Sequence, residues 1–234
     1  MKGAVDRPAG RVGKPGEIVG DCNRHGFKRT AAITIPRMEP FVPFLTWRFD
    51  LALQFASGLH HDQARKGGSV PYIAHLMGVC ALVLEAGGDE DQAIAALLHD
   101  SVEDQGGLAT LETIRHLFGQ RVAAAVESCS DSTVSDPTKK LPWRERKEKY
   151  LAHLRSANKD SLIVGAADKL HNARAVLTDY RQIGEELWSR FSVPKAEQFW
   201  YYGALVEAFR QTTAPNVLVD ELERVVNELR VECE

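Results

Sequence analysis

No apolar run in the 234-residue chain approaches the roughly 20 residues needed to cross a bilayer. No secretory leader is evident at the start. The four cysteines (Cys22, Cys80, Cys129 and Cys233) are scattered, and none has zinc-type spacing. They read as reduced thiols, which suits a cytoplasmic protein. The net charge of −3 gives no bulk attraction for nucleic acid. A P-loop of the GxxxxGK[ST] type is missing, so ATP-driven phosphoryl transfer has no support. Period-2 alternation and hairpin turns are missing too, which argues against a sheet. Neither a nucleic-acid nor a membrane partner is expected, and the residues do not fix the oligomeric state.

What is present is helical. The stretch 46–61 has apolar residues at helical spacing, with Thr46 as its N-cap. The next helix starts with Pro71 in its first turn and stops at Gly87–Gly88. A third runs from a cap at Asp89 to Gly106–Gly107, and a fourth, 110–130, breaks near Gly119. Residues 131–140 read as a loop. Further helices cover 141–157, 160–180, 194–211 and 215–231. The expectation is an all-α bundle over 38–234. Residues 1–37, rich in Gly, Pro and basic side chains, read as a disordered extension, or as sequence upstream of a true start at Met38.

The third helix contains "AALLHDSVEDQGG" (95–107). On a helical wheel with His99 at zero, Glu103 lies at about 40°, Asp100 at about 100° and Asp104 at about 140°. Ile94, Ala95, Leu98 and Val102 fall on the opposite, core-forming side. An arbitrary His-Asp dipeptide usually marks a solvated acidic face. Here the flanking "AIAALL" implies a buried helix, where three acids repel one another and an unpaired charge is costly. A divalent cation resolves both problems, and His99 and Asp100 are donors that transition metals accept. His60, His75 and Asp168 are further candidates. Asp168 lies between alanines and leucines, with Lys169 and Arg174 as possible ion-pair partners.

Four stretches together resemble the HD-type metal-dependent phosphohydrolases: "HHDQARKGGSVPYIAH" (60–75), "ALLHDSVEDQ" (96–105), "FGQRVAAAVESCSD" (118–131) and "AADKLHNAR" (166–174). More narrowly, they are similar to the hydrolase domain of RelA/SpoT proteins and to stand-alone alarmone hydrolases, an HD-domain helical bundle. The resemblance covers about residues 45–210. It implies metal ligation by His60, His99, Asp100 and Asp168, with Mn²⁺ as the usual ion. His60 is taken over His61 because the family's H-x-x-Q-x-R fits only from His60, through Gln63 and Arg65.

The resemblance also implies that Glu103 and Asp104 assist the attacking water, and that Arg65, Lys66, His75 and Asn172 border a nucleotide. The implied reaction is removal of pyrophosphate from the ribose 3′ position of (p)ppGpp. Alternatives are another nucleotide, such as an adenine alarmone or the 2′-phosphate of NADPH, or a domain that binds nucleotide without turnover. The remaining length leaves no room for the family's synthetase domain.

The chain departs from the pattern in three places. Gly165 stands where the family often has lysine, which bears on specificity. Ser101 replaces the usual Val or Thr, and the loop before "PYIAH" is short. The basic stretch 141–150 reads as a solvated helix face rather than the substrate entrance.

Overall fold

The computed structural model describes residues 45–130 and 141–234. The expected extension 1–37 and the loop 131–140 lie outside the described residues. The order is α1 (Trp47–Leu59), α2 (Ile73–Glu85), α3 (Glu90–Leu98), α4 (Ser101–Asp104), α5 (Gly107–Phe118), α6 (Gln120–Cys129), α7 (Trp143–Leu154), α8 (Lys159–Ile183), a 3-10 helix (Gly184–Arg190), α9 (Lys195–Arg210) and α10 (Asn216–Glu232). Among the described residues the only β-type pairing is an isolated bridge between Ala64 and Pro71. No helix among them is long and apolar enough to cross a membrane. The all-α expectation holds.

Helix α3 is the centre of the bundle. Its residues Gln92–Leu98 are all buried, and it packs against α1, α2, α6 and α8. The "AIAALL" run is therefore apolar on every side because every side meets a neighbour. Cutting Leu97 or Leu98 back to alanine costs about 2–5 kcal/mol, by the usual transfer and cavity terms. The start of α3 is fixed by a capping box: the Asp89 carboxylate accepts from Gln92 N, and the Gln92 side chain accepts from Asp89 N. Gln92 Nε2 also donates to Asp160 Oδ1 (2.8 Å), and Arg121 of α6 donates from Nη2 to the same oxygen and from Nε to Oδ2, both at 2.8 Å. These contacts set the axial registry of α3, α6 and α8. Helix α8, 25 residues and about 37 Å long at 1.5 Å per residue, runs along this centre. Its stretch from Asp160 to Asp168 is buried throughout.

Two boundaries differ from expectation, and both shape the site. The helix expected across 89–105 breaks at His99–Asp100 into α3 and α4. His99 Nδ1 donates to the Ala96 carbonyl at 2.8 Å. A continuous helix would give that acceptor to the Asp100 N–H. Asp100 has ψ −5, which opens the turn. Pro71 lies before α2 rather than in its first turn. It belongs to a short antiparallel loop in which Arg65 N donates to Val70 O (2.8 Å) and Tyr72 N to Gln63 O (2.9 Å). Gly67 at φ +77 closes that loop. The other expected helices occur within a few residues, and the fourth breaks at Gly119 as expected. The 3-10 helix was not foreseen.

Candidate metal centre and cleft

The end of α3, the middle of α8, the start of α2 and the residue after α1 meet at one place. His60, His75, His99 and Asp168 are each 6% exposed or less, and Asp100 is half-buried. His99 Nε2 lies 3.0 Å from Asp100 Oδ2 and 3.6 Å from Asp168 Oδ1. His75 Nε2 lies 3.5 Å from the same Asp100 oxygen and 3.3 Å from the same Asp168 oxygen. His75, His99 and Asp168 each present one donor atom within a 4.8 Å sphere of mutual distances. His60 stands outside that trio. Its ring stacks on Tyr72, centroids 5.1 Å apart, and Tyr72 donates its hydroxyl to Asp100 Oδ2 at 2.6 Å.

The hydrogen bonds assign the protons on two imidazoles. His99 Nδ1 faces a carbonyl and must donate. His60 Nδ1 donates to Gln63 Oε1 at 2.7 Å, an oxygen that also accepts from Gln105 Nε2. In both rings the neutral form then carries its lone pair on Nε2. His60 Nε2 and His99 Nε2 are buried and have no hydrogen-bond partner among the described residues. The neutral form of His99 turns its lone pair toward two carboxylates, as a cation binder needs, and without a cation the same carboxylates draw a proton there. The Nδ1–H···O bonds of His60 and His99 are the usual device for orienting metal-binding rings. His75 differs, because its Nδ1 meets another nitrogen, His171 Nδ1, at 2.9 Å.

The electrostatics favour positive charge here. Burial opposes charging His99, but the Asp100 and Asp168 carboxylates outweigh it and hold its pKa well above the ordinary value. Burial likewise opposes charge on both acids. The positive charge of His99 on Asp100, and of Lys169 on Asp168, holds each well below the carboxylate range. Asp168 does pair with Lys169, at 2.5 Å, whereas Arg174 goes instead to Glu221. Asn172 Nδ2 donates to Asp168 Oδ1 at 2.5 Å and its Oδ1 accepts from Arg65 Nη2 at 3.0 Å. His171 is pushed down to about 4, by burial first and then by His75 and Arg65.

A cleft of about 500 Å³ opens beside this cluster. Glu103, Arg65, Lys66 and Asn172 line it, as does Tyr72. Asp104 is exposed and accepts from Gln63 Nε2 at 2.7 Å, so Gln63 bridges His60 and Asp104.

Sequence reasoning missed much of the far wall. Trp143, Arg146 and Lys147 of α7 line the cleft, so part of the 141–150 stretch faces it rather than solvent. Their three- and four-residue spacing was the available signal. Tyr201 and Tyr202 of α9, Lys169 and the 3-10 residue Arg190 complete it. Gly165 also gains a reason: a Cβ there would lie 2.9 Å from the Tyr150 hydroxyl. Lys169 Nζ sits 4.9 Å from the Tyr150 ring centroid, so a positive charge remains near this position.

A buried cluster of imidazoles and acids inside a helical bundle is the architecture of the HD-domain family. The HD domain family model matches residues 52–192, and the chain belongs to that family. Within it, the chain is 36% identical over 166 residues to a Xenopus tropicalis protein named guanosine-3′,5′-bis(diphosphate) 3′-pyrophosphohydrolase MESH1, covering 70% of this chain and 85% of that one. It is 37% identical over 127 residues to a Synechocystis protein named as a probable enzyme of the same activity, covering 53% of this chain but only 16% of that much longer protein. A solved structure described as a metazoan ortholog of SpoT that hydrolyzes ppGpp superimposes with TM-score 0.62 at 27% identity, over 78% of this chain and 96% of that one.

Proposed function

We propose that this protein is a Mn²⁺-dependent 3′-pyrophosphohydrolase of (p)ppGpp, acting in the cytoplasm. The carrying observation is a pair of buried Nε2 atoms without a hydrogen-bond partner, on His60 and His99, with the Asp100 and Asp168 carboxylates 3.0 and 3.6 Å from His99 Nε2 at the end of a basic cleft. Two imidazoles and two carboxylates suit a divalent first-row metal. His60, His99, Asp100 and Asp168 are the ligand set we assign. A divalent ion at this position supplies Lewis-acid stabilisation of phosphoryl charge and acidifies water.

The chain's own residues do the rest. Glu103 lines the cleft and takes the proton of the attacking water. Asp104 holds Gln63, which in turn fixes the His60 ring. Arg65 is held by Asn172, and with Lys66 and Lys169 it meets the 3′-pyrophosphate. Arg146 and Lys147 receive the 5′-phosphates, and Trp143, Tyr201 and Tyr202 offer aromatic faces to the base. Water attacks phosphorus, the bond to the ribose 3′-oxygen breaks, and the proton taken up by Glu103 passes to that oxygen as it leaves. The products are the nucleoside 5′-diphosphate (5′-triphosphate from pppGpp) and pyrophosphate. Relatives bearing this activity in their names support the reading, and the free thiols of Cys80, Cys129 and Cys233 suit a reducing compartment.

The test is a nucleotide panel with EDTA-stripped protein, with and without Mn²⁺. Pyrophosphate release from ppGpp, dependent on the metal, is expected. Inert ppGpp alongside turnover of an adenine alarmone or NADPH would transfer the site to that substrate.

A further inference from the structure

His171 belongs to no part of the mechanism above, yet the fold makes room for it at a cost. Its Nε2 and Cδ2 press against Gly78 of α2, where an added Cβ would lie 2.3 and 2.4 Å from them. Only glycine lets the ring enter. Once there, its Nδ1 meets His75 Nδ1 at 2.9 Å, with the rings edge-on and centroids 4.8 Å apart. One proton must lie between these two nitrogens, and the far side of the His75 ring says whose it is. His75 Nε2 looks at two carboxylate oxygens, Asp168 Oδ1 at 3.3 Å and Asp100 Oδ2 at 3.5 Å. Oxygens with negative charge suit an N–H there and repel a lone pair. A neutral His75 then has a bare Nδ1, so the proton between the rings belongs to His171 Nδ1. His99 faces the same oxygens without that choice, because the Ala96 carbonyl holds a proton on its Nδ1.

We infer that His171 and His75 form an orienting pair, in which His171 Nδ1–H sets the tautomer of His75 so that His75 Nε2–H steadies Asp100 and Asp168. His75 is thus a positioning residue and not a fifth donor, despite its place in the tight trio. The neutral forms of the three rings differ in the proton's location: Nδ1 in His60 and His99, Nε2 in His75. This inference rests on the assignment of Asp100 and Asp168 as cation ligands. It holds whichever nucleotide is the substrate.

The first test uses the unmodified, metal-free protein labelled with ¹⁵N-histidine, with signals assigned by His75→Gln and His171→Phe. Long-range ¹H–¹⁵N spectra at pH 7.5 should show His75 protonated on Nε2 and His171 on Nδ1. A proton on His75 Nδ1 instead, with Nε2 bare, would overturn the inference and make His75 a ligand. The second test titrates Mn²⁺ alone and counts free ion by electron paramagnetic resonance. His171→Phe keeps a ring but removes both nitrogens, and should weaken binding about 10-fold or more, the usual effect of losing a residue that orients ligands. His171→Asn keeps a side-chain N–H donor near the Nδ1 position and should recover most of that loss. Melting curves confirm that each variant is folded. Parent-like Mn²⁺ affinity in folded His171→Phe would refute the pair's role. Neither readout uses substrate, so failure of the ppGpp assignment would leave it standing.

Discussion

Replacing Asp100 with asparagine tests the proposed metal centre at the most exposed of its assigned ligands. The change is isosteric and keeps an oxygen for the Tyr72 hydroxyl, now 2.6 Å from Oδ2. It removes one negative charge from beside His99 Nε2, 3.0 Å away, and relieves the repulsion Asp100 feels from Asp168. The metal-free variant should therefore fold. What it loses is metal-dependent stability. An ion present at 100 times its dissociation constant stabilises the native state by about 2.7 kcal/mol. For a chain of this size each kcal/mol moves the melting temperature by about 2–4 °C, so the parent should gain about 5–11 °C with Mn²⁺. Loss of a charged ligand costs at least the ~100-fold seen at the upper end for mere orienting residues. At the same Mn²⁺ concentration the variant then gains at most about 0.4 kcal/mol, or under about 2 °C. Differential scanning calorimetry on EDTA-dialysed protein, with and without Mn²⁺, reads the difference within each protein. Glu103→Gln is the control: it should keep the full rise while turnover falls by about 10²–10⁴. An undiminished Mn²⁺ rise in Asp100→Asn would refute the ligand set.

Three further outcomes follow from the same geometry. Arg146→Ala with Lys147→Ala should raise KM about 10-fold or more with little change in kcat, and the loss should shrink at high salt, as read by initial rates at two ionic strengths. Gly165→Ala brings a Cβ to 2.9 Å from the Tyr150 hydroxyl. Overpacking of this kind costs about 1–3 kcal/mol, against about 1 kcal/mol regained from helix propensity. In a Tyr150→Phe background the cost should vanish, giving a coupling of about 1 kcal/mol or more in a double-mutant cycle by urea unfolding. The depressed pKa of His171, about 4 in the fold against 6.5 in the unfolded chain, gives a signed pH effect. Its neutral form is bound by the fold, so that contribution is full above pH 6.5 and is lost as pH falls through 4. The stability gap between parent and His171→Phe, measured without metal, should therefore narrow from pH 7 to pH 4; a constant gap would refute it.

The helices were legible because their signals are local. Thr46, Asp89 and Gly119 cap or break helices through contacts within a few residues, and the "AIAALL" run announced a helix with no solvent face. The order and spacing of H…HD…ED…D likewise named a family before any fold was known, and the family model over 52–192 agrees. The break at His99–Asp100 was not legible, because it comes from an imidazole reaching the Ala96 carbonyl. Nor was the far wall of the cleft. Whether Lys147 faces solvent or substrate depends on where α7 docks, and the residues of α7 do not encode that alone.

The sequence by itself determined which residue types exist to bind a cation, and that helices carry them, since composition and periodicity act over short distances. The tertiary structure decided what the Nδ1 of each histidine meets: a glutamine oxygen at His60, a backbone carbonyl at His99, a second imidazole at His75. Of these partners the second imidazole, His171, comes from a helix 96 residues further along the chain, and only packing brings such groups within hydrogen-bond reach.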